Sequence, residues 1–545
     1  MKKNKETIFM IIAILGIILF GTAIAPIELQ NDTFYTIKIG QYIIDNGISE
    51  YDPFSWHEEL PYTFPHWLYD VTIGAIYNIG GLFGIYLSTV GFTILLGIIW
   101  FITNCKLHNN KLTSFMLTLA LLYLMENFIA ARAQLITFTL FTLEIFFIER
   151  FLQRKKIGYA IGLVIIPILI ANIHLAVFPF YFVLYLPYIG EYFIALLAKS
   201  PTYIRIFKIH RIDKKLLKGK LTEEKKKQLE EKAEKLEEKI NLLEKNSKIR
   251  KEHVYKLEVE KNDNVKWLIL IMIICLFTGL LTPLGDAPYT YLVKTLQGNT
   301  TKIINEHLPI VIMNFKPQLC MIVLILAILI FTDTKIRLKD LFMLGGLLLL
   351  ALTSRRQISM FALIGLTILN GFIVTLANKY DKGGCEKFIQ SIQKPLGLVL
   401  TFVVVLAICA PFVKDKINQK FITEAYPIGA CDYILENLNL GNIKIYNEYN
   451  YGSYLIYRGI PVFIDSRADL YTPEFDYKQR RNIFSDCMQL NPISDKYDEI
   501  WNKYKITHVL IPNSSLNRLI LGRDENYKEL YSDSHFILYE RLKVE

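Results

Sequence analysis

Long apolar runs, separated by short polar segments, dominate the pattern of the chain. Several runs reach about 18 residues, the length that a helix needs to cross the hydrocarbon core of a bilayer. The pattern predicts a polytopic α-helical membrane protein with about 11 spans, and at most about 13. The predicted spans are Ile8–Ala25, Leu82–Thr103, Leu112–Phe128, Leu135–Ile148, Tyr159–Leu175, Ala176–Ala198, Trp267–Leu281, Leu319–Phe331, Leu341–Leu352, Ile358–Ala377 and Leu396–Val413.

The chain divides into four parts on this pattern. Residues 1–207 form an N-terminal membrane half, which includes a first outer loop over 26–70. Residues 208–262 form a charged helical insert, 263–417 a C-terminal membrane half, and 418–545 a small α/β domain.

Two features flank the first loop. The run before it resembles a signal peptide but is longer than usual, so we expect an uncleaved span. The stretch Trp67–Gly80 after it is predicted as an interfacial helix or a half-span.

The insert is rich in lysine and glutamate, with a short heptad seam inside it. The seam consists of Leu229, Ala233, Leu236, Ile240 and Leu243. This spacing fits either a solvated helix or hairpin on the cytoplasmic side, or a coiled coil with a partner. So few heptads favour the solvated helix.

The C-terminal part alternates short β-rich runs with helix-like stretches. Strands are predicted in "NIKIYN", "PVFID", "THVLIP" and "HFILYER". Helices are predicted over Tyr451–Tyr457 and Tyr497–Tyr504. Its length is within the ordinary range for a single domain.

The distribution of positive charge along the chain predicts its orientation in the membrane. The formal net charge is +10, and with eleven spans the Lys- and Arg-rich connections fall on one side, which the positive-inside rule makes cytoplasmic. The N-terminus is then cytoplasmic, and the first loop and the C-terminal domain lie outside the cell membrane. No nucleic-acid partner is expected. The seven cysteines are scattered and contain no CxxC pair, so neither a disulfide framework nor a zinc site is predicted.

The first outer loop combines two acids, Asp32 and Asp52, with aromatic residues and with His66. Asp32 is expected at the membrane mouth, ahead of a short amphipathic helix over Ile37–Ile44. There it either solvates a helix end or meets a lipid phosphate or a sugar hydroxyl. Aromatic rings mixed with carboxylates suit carbohydrate binding, and they equally suit an aromatic belt at the membrane interface.

Further ionisable residues lie at or near the ends of the predicted spans: Arg132, His174, Glu306, His307, Arg355 and Arg356. Such groups at membrane depth are costly, and they are usually functional or paired with one another. Arg355 and Arg356 on the outer side run against the positive-inside trend. They either bind a lipid phosphate or pyrophosphate, whose oxygens match the guanidinium fork, or pair with Glu306 or Asp286.

The remaining motifs narrow the chemistry. Asp465, Arg467 and Asp469 follow a predicted strand, and this pattern favours salt bridges and turn caps over a metal or active-site cluster. The chain contains no Walker loop, GxGxxG, HExxH or GxSxG motif. ATP-driven and soluble-nucleotide chemistry therefore has no support in the sequence.

Several segments, in their order along the chain, resemble the GT-C glycosyltransferase superfamily. The loop "DTFYTIKIGQYIIDNGISEYDPFSW" and the following "PHWLYDVTIGAIYNIGGLFGIY" resemble its first loop and second membrane segment. The likeness is closest to a large bacterial group of this superfamily. It continues through "ARAQLITF", "ANIHLAVF", "TPLGDAPY", "INEHLP", "SRRQISMFAL" and "NEYNYGSYLIYRGIPVFIDSRADLY".

This resemblance implies an enzyme that takes a sugar from a polyprenyl-phosphate donor outside the membrane. The acceptor would be a lipid, glycan or protein of the envelope. Asp32 matches the expected base or acceptor-orienting acid, with Asp52 as a second catalytic acid. Some members of the superfamily hold a divalent metal between loop carboxylates, here Asp32 and Asp52. The expected substrate-binding residues are His66, Arg132, His174, Glu306, His307, Arg355 and Arg356.

Two other classes of function remain open at this stage. One is a non-catalytic protein of GT-C shape that acts as a scaffold or binding component in envelope assembly. The other is a transporter of a polyprenyl-linked glycan, which would need polar residues along a path through both leaflets.

Overall fold

Helices make up most of the structure, which is a computed structural model that describes residues 2–217, 222–252, 256–381, 383–490 and 497–543. The helices of the N-terminal half are α1 (Lys2–Ile24), α2 (Asn31–Asn46), α3 (Trp67–His108), α4 (Lys111–Leu124), α5 (Ala133–Arg154), α6 (Ile157–Ile173), α7 (Phe178–Val183) and α8 (Leu186–Leu216). The helices that follow, up to the C-terminal domain, are α9 (Glu223–Glu252), α10 (Val265–Leu276), α11 (Ala287–Gln297), α12 (Thr300–Ile303), α13 (Lys316–Phe331), α14 (Leu338–Thr353), α15 (Ile358–Tyr380), α16 (Gly384–Ile392) and α17 (Pro395–Lys416).

Each predicted span coincides with helical structure in this bundle. Within the described ranges, six helices are long and apolar enough to cross a membrane: Thr7–Ile24, Trp67–His108, Leu175–Ala198, Ile312–Phe331, Arg355–Tyr380 and Pro395–Lys416. A helical, membrane-associated protein is thereby confirmed. The count of eleven spans stays a prediction.

The connections between the long helices lie at two ends of the bundle. At one end, the domain face, the backbone N–H of Leu175 donates to the carbonyl of Pro65 at 3.0 Å. At the other end, the insert face, the Asn264 side chain donates to the carbonyl of Leu152 at 2.8 Å. Helices α1 and α17 pack against each other, and Lys416 of α17 donates to the carbonyl of Thr22 near the end of α1.

The charged insert leaves the insert face as the long end of α8 followed by α9, and the two helices contact each other. In the heptad seam of α9, the residues Leu229, Ala233, Leu236 and Ile240 are half-buried while their neighbours are exposed. The seam therefore faces a helix of its own chain, in agreement with a hairpin.

A small mixed sheet forms the core of the C-terminal domain. The domain contains α18 (Ile428–Asn437), α19 (Gly452–Tyr457), α20 (Ile483–Leu490), α21 (Tyr497–Lys503) and α22 (Asn517–Leu521). Strands β1 (Leu257–Glu258) and β2 (Ile336–Arg337) pair at the insert face, and the domain sheet has the order β3 (Ile445–Tyr446), β4 (His508–Pro512), β6 (Phe536–Arg541) and β5 (Tyr527–Ser532). Strand β3 is parallel to β4, and the other pairs are antiparallel.

The observed sheet differs from the predicted sheet in two details. The run "PVFID" is not a strand; Val462 makes a single bridge to Ser55 of the first loop, and its neighbours are buried by packing. Strand β5 was not predicted, because most of its residues are at least partly exposed and its sequence lacks an apolar alternation.

The aromatic part of the first loop packs against the C-terminal domain. The indole of Trp56 donates to the carbonyl of Ile445 at 3.1 Å, and the imidazole of His57 donates to the carbonyl of Phe463 at 2.9 Å. Phe64 is fully buried. These rings therefore hold the domain over the bundle, and among them Tyr62 lines a cavity.

Helices α2 and α3 cross in direct backbone contact at two glycines. A Cβ atom at Gly40 would lie 1.9 Å from the carbonyl oxygen of Asp70, and a Cβ atom at Gly74 would lie 2.6 Å from the carbonyl carbon of Gly40. No side chain fits, because the neighbours are backbone atoms. Farther along, α3 kinks at Gly81, whose φ is 56°. The stretch Trp67–Gly80 is thus a helical segment that ends at this break.

Replacing Gly40 by alanine is expected to force α2 away from α3. The free energy of unfolding should fall by about 1–3 kcal/mol, the usual cost of overpacking. The control is Gly91→Ala, because a Cβ atom at Gly91 has no neighbour within 4 Å. Thermal unfolding in detergent measures the difference, and equal midpoints for Gly40→Ala and the unaltered protein would contradict the crossing.

Candidate functional site

A cavity of about 970 Å³ lies between the domain face of the bundle and the C-terminal domain. Its walls come from α2, the first loop, the connections after α4, α6 and α14, the segment around α11 and α12, and the C-terminal domain. We call it the large cavity. The predicted site residues that line it are Asp32, His66, Arg132, His174, Glu306, His307 and Arg356.

Asp32 lies in the first turn of α2, inside the helix rather than ahead of it as predicted. The helix begins at Asn31, and the negative Asp32 in its first turn is favourable at the positive end of the helix dipole. The Asp32 carboxylate pairs with Arg132 at 3.0 Å, and the two side chains are 24% and 25% exposed. This carboxylate is held in place and still reachable from the cavity.

Arg132 also pairs with a second acid. Its other terminal nitrogen lies 3.0 Å from the carboxylate of Glu306, so one guanidinium bridges two carboxylates that are far apart in sequence. Burial acts to raise the pKa of Glu306, but Arg132 and Arg356 outweigh burial and hold that pKa below its ordinary value. The positive charge of Arg132 is thereby fully neutralised by its neighbours.

Arg356 differs from Arg132 because its guanidinium makes no hydrogen bond or ion pair within the described residues. The predicted alternative, pairing with Glu306 or Asp286, is therefore not observed for it. Arg355 donates from Nε to the carbonyl of Pro309 at 3.3 Å. Beside them, burial and Arg356 lower the pKa of His307, so this imidazole is neutral at pH 7.

His66 and His174 stack against each other, with ring centroids 5.0 Å apart. The Thr137 hydroxyl lies 2.9 Å from the carbonyl oxygen of Ala133 and 3.0 Å from Nδ1 of His174, so it fixes the position of the His174 ring. Burial, Arg356 and Arg132 lower the pKa of His66 to about 3. Both imidazoles are neutral polar groups in the wall of the cavity.

Asp52 does not line the large cavity, contrary to its predicted catalytic role. Its side chain is fully buried and lies 2.5 Å from Nη1 of Arg467. The same guanidinium donates from Nε and Nη2 to the two carboxylate oxygens of Asp465, at 2.8 and 2.7 Å. The ion-pair interpretation of Asp465 and Arg467 is confirmed, and Asp52 is the partner that the sequence did not indicate.

Both loop acids pair with arginines, and this pairing bears on the divalent metal that the resemblance places between them. Asp32 is bound by Arg132, and Asp52 by Arg467 and the N–H of Ser55. Within the described residues, no group of three or more His, Cys, Asp or Glu side chains is arranged to hold a metal ion. Asp32 and Asp52 together do not fit a divalent cation.

Two acids of the C-terminal domain line the large cavity and were not predicted as site residues. Asp469 accepts hydrogen bonds from the hydroxyls of Thr295 and Thr300, at 2.9 and 3.1 Å. Glu448 is half-buried in the connection between β3 and α19, and burial raises its pKa to about 7. Tyr449, next in the chain, accepts from Asn31 through its carbonyl at 3.2 Å, which holds this connection beside Asp32.

A second cavity of about 640 Å³ adjoins the large one, and we call it the small cavity. Arg132, Glu306 and Arg356 line both cavities, and Arg355 lines the small one. The Arg132–Glu306 ion pair therefore forms a partition between them. At this partition, Nε of Arg132 is buried and has no hydrogen-bond partner among the described residues.

A scan against models of known protein families finds no match to the chain, and a search of curated proteins finds no significant match.

Replacing Asp52 by asparagine is expected to weaken the attachment of the C-terminal domain to the first loop. Removing one partner of a buried ion pair costs about 3–5 kcal/mol, and because Arg467 keeps Asp465 we expect the lower end. Unfolding of the purified protein in detergent measures the change. Glu50→Gln is the control, since its pair with Lys478 is exposed; an Asp52→Asn effect no larger than that of Glu50→Gln would contradict the role.

Replacing Glu448 by glutamine is expected to stabilise the protein at alkaline pH only. The unfolded chain releases this proton near pH 4.5, whereas the folded protein keeps it up to about pH 7. Unfolding is coupled to proton release in that window, so stability falls as the pH rises. The melting temperature of the variant should match that of the unaltered protein at pH 4.5 and exceed it at pH 8. An equal difference at both values, or the same profile for the exposed Glu525→Gln, would refute this.

Proposed function

We propose that this protein is a membrane glycosyltransferase of the GT-C type, which moves a sugar from a polyprenyl-phosphate donor to an envelope acceptor. One observation carries the proposal: the Asp32 carboxylate lines the same cavity as the Arg356 guanidinium, which has no ion pair within the described residues. An acid that orients a hydroxyl and a fixed cation for a leaving phosphate are the two groups that such a transfer needs.

The reaction follows from the positions of these groups. An acceptor hydroxyl donates its hydrogen bond to Asp32, and its oxygen attacks the anomeric carbon of the donor sugar. The bond between that carbon and the phosphate oxygen breaks, and the phosphate leaves with the electron pair. Asp32 takes the proton of the hydroxyl. Arg356 offers its free guanidinium to the leaving phosphate, whose charge it matches with two parallel hydrogen bonds.

The small cavity suits the lipid end of the donor. Its walls combine Arg355 and Arg356 with the apolar side chains of Phe128 and Phe315. A phosphate between the two arginines would leave the prenyl chain against these rings, and the sugar would reach past the Arg132–Glu306 partition toward Asp32. In the large cavity, neutral His66 and His307 add hydrogen-bonding groups without adding charge.

The same proposal sets the orientation of the chain. Lys- and Arg-rich connections gather at the insert face, which we assign to the cytoplasm by the positive-inside rule. The domain face and both cavities are then extracytoplasmic, where polyprenyl-linked sugars are used.

The variant Asp32→Asn is expected to lower transfer by about 10²–10⁴-fold, the usual contribution of a positioned acid or base. The measurement is transfer of labelled sugar from a set of polyprenyl-phosphate hexoses in vesicles that contain the purified protein and envelope extract. Asp45→Asn is the matched control, because Asp45 is exposed on the same helix.

Each result of this experiment separates the candidate functions. Transfer by the unaltered protein and the Asp45 variant, with loss in Asp32→Asn and an unchanged melting temperature, supports the enzyme. Full transfer by Asp32→Asn refutes the role of Asp32. No transfer by any form favours a non-catalytic scaffold, and movement of intact lipid-linked glycan across the vesicle membrane favours a transporter.

A further inference from the structure

The charged side chains that line the large cavity bear on its second substrate. On the bundle side, Arg356 is a cation without a hydrogen bond or ion pair among the described residues, whereas Arg132 is bridged by two acids. Arg467, from the C-terminal domain, also lines the cavity, but Asp52 and Asp465 neutralise it. Asp32 and Glu306 balance Arg132 and Arg356 in charge on the bundle side, and Arg356 is the lining arginine that no carboxylate contacts within the described residues.

The wall from the C-terminal domain carries two acids. Asp469 accepts from two threonine hydroxyls, which are neutral donors, and it makes no ion pair within the described residues. Glu448 makes no ion pair there either, but burial raises its pKa to about 7, so it is only partly charged at neutral pH. An anionic ligand on this wall would therefore be repelled, and a ligand rich in hydroxyl donors would be bound by charge-assisted hydrogen bonds.

Aromatic rings lie beside these acids. Tyr291 and Phe475 contact each other with centroids 4.9 Å apart, and both line the cavity. Tyr449 lines it as well, and its hydroxyl donates to the carbonyl of Ser466 at 3.1 Å, which fixes the ring. Flat apolar rings next to carboxylates match the two kinds of surface on a sugar, its C–H face and its hydroxyl edge.

We propose that the wall of the large cavity formed by the C-terminal domain and α11 binds a neutral carbohydrate as the acceptor, with Asp469 accepting hydrogen bonds from its hydroxyls and Tyr291, Tyr449 and Phe475 covering its ring faces. This assignment rests on the proposed function and names the acceptor class for it. The acceptor hydroxyl then reaches Asp32 from the wall that carries Asp469, while the donor phosphate is bound at Arg356.

The test measures binding to the full-length protein in detergent by saturation-transfer NMR and by calorimetry. The probes are three neutral pentasaccharides of different linkage (cellopentaose, maltopentaose and chitopentaose), an anionic pentagalacturonate and an uncharged Gly-Ser pentapeptide. We expect at least one neutral pentasaccharide to bind. Asp469→Asn should weaken its binding about tenfold, as for one charge-assisted hydrogen bond.

A second variant separates ligand binding from a structural role of Asp469. Thr300→Val removes one hydroxyl that Asp469 accepts but leaves the carboxylate in place, so it should retain most of the pentasaccharide binding. If Thr300→Val weakens binding as much as Asp469→Asn, the carboxylate is structural and the proposal fails. It also fails if no neutral pentasaccharide binds, or if the pentagalacturonate or the peptide binds as tightly.

Binding of short-chain polyprenyl phosphate to the same proteins distinguishes failure of this inference from failure of the proposed function. Asp469→Asn should leave polyprenyl-phosphate binding unchanged, and Arg356→Gln should weaken it. If Arg356→Gln binds the lipid phosphate normally, the donor assignment is wrong. If lipid binding follows the expectation while the pentasaccharides do not, only the acceptor class is wrong.

Discussion

The arrangement of the site depends on the ion pairs made by the buried guanidinium of Arg467. It binds Asp465 within the C-terminal domain and Asp52 in the first loop, and its carbon lies 4.8 Å from the ring centroid of Tyr62. A buried charge of this kind is stable only when its partners are in place. The loop and the domain are therefore locked in one relative position, and the large cavity between them has a defined roof.

The two arginines of the bundle that line the large cavity differ in their hydrogen-bond and ion-pair partners. Arg132 is shared by two carboxylates, whereas Arg356 is free of hydrogen bonds and ion pairs among the described residues. A structural arginine is expected to be paired, because an unpaired cation near membrane depth is costly. This free-energy cost is the reason for proposing that Arg356 binds a ligand. Arg132 already has its carboxylate partners, so we propose that it positions Asp32.

Much of the bundle could be predicted from the sequence, because the hydrocarbon core imposes both the length and the apolarity of its helices. Asp32, Arg132 and Arg356 were found from their positions at the ends of apolar runs, and they do share one cavity. The role of Asp52 was missed because its partner lies 415 residues away, and no local pattern reports such a pair. Asp469 was interpreted as a salt-bridge or cap residue, because its threonine donors lie in α11 and α12, 174 and 169 residues earlier in the chain.

The partition formed by Arg132 couples the binding of an anion to the pairing of Asp32. One guanidinium cannot hold Asp32, Glu306 and a newly arrived anion equally well, so an anion in the small cavity competes with Asp32 for the same hydrogen bonds. Such competition is reciprocal, since coupling free energies act equally in both directions. An anion that displaced Asp32 from Arg132 would therefore be bound less tightly by the free energy that the Asp32–Arg132 pair contributes.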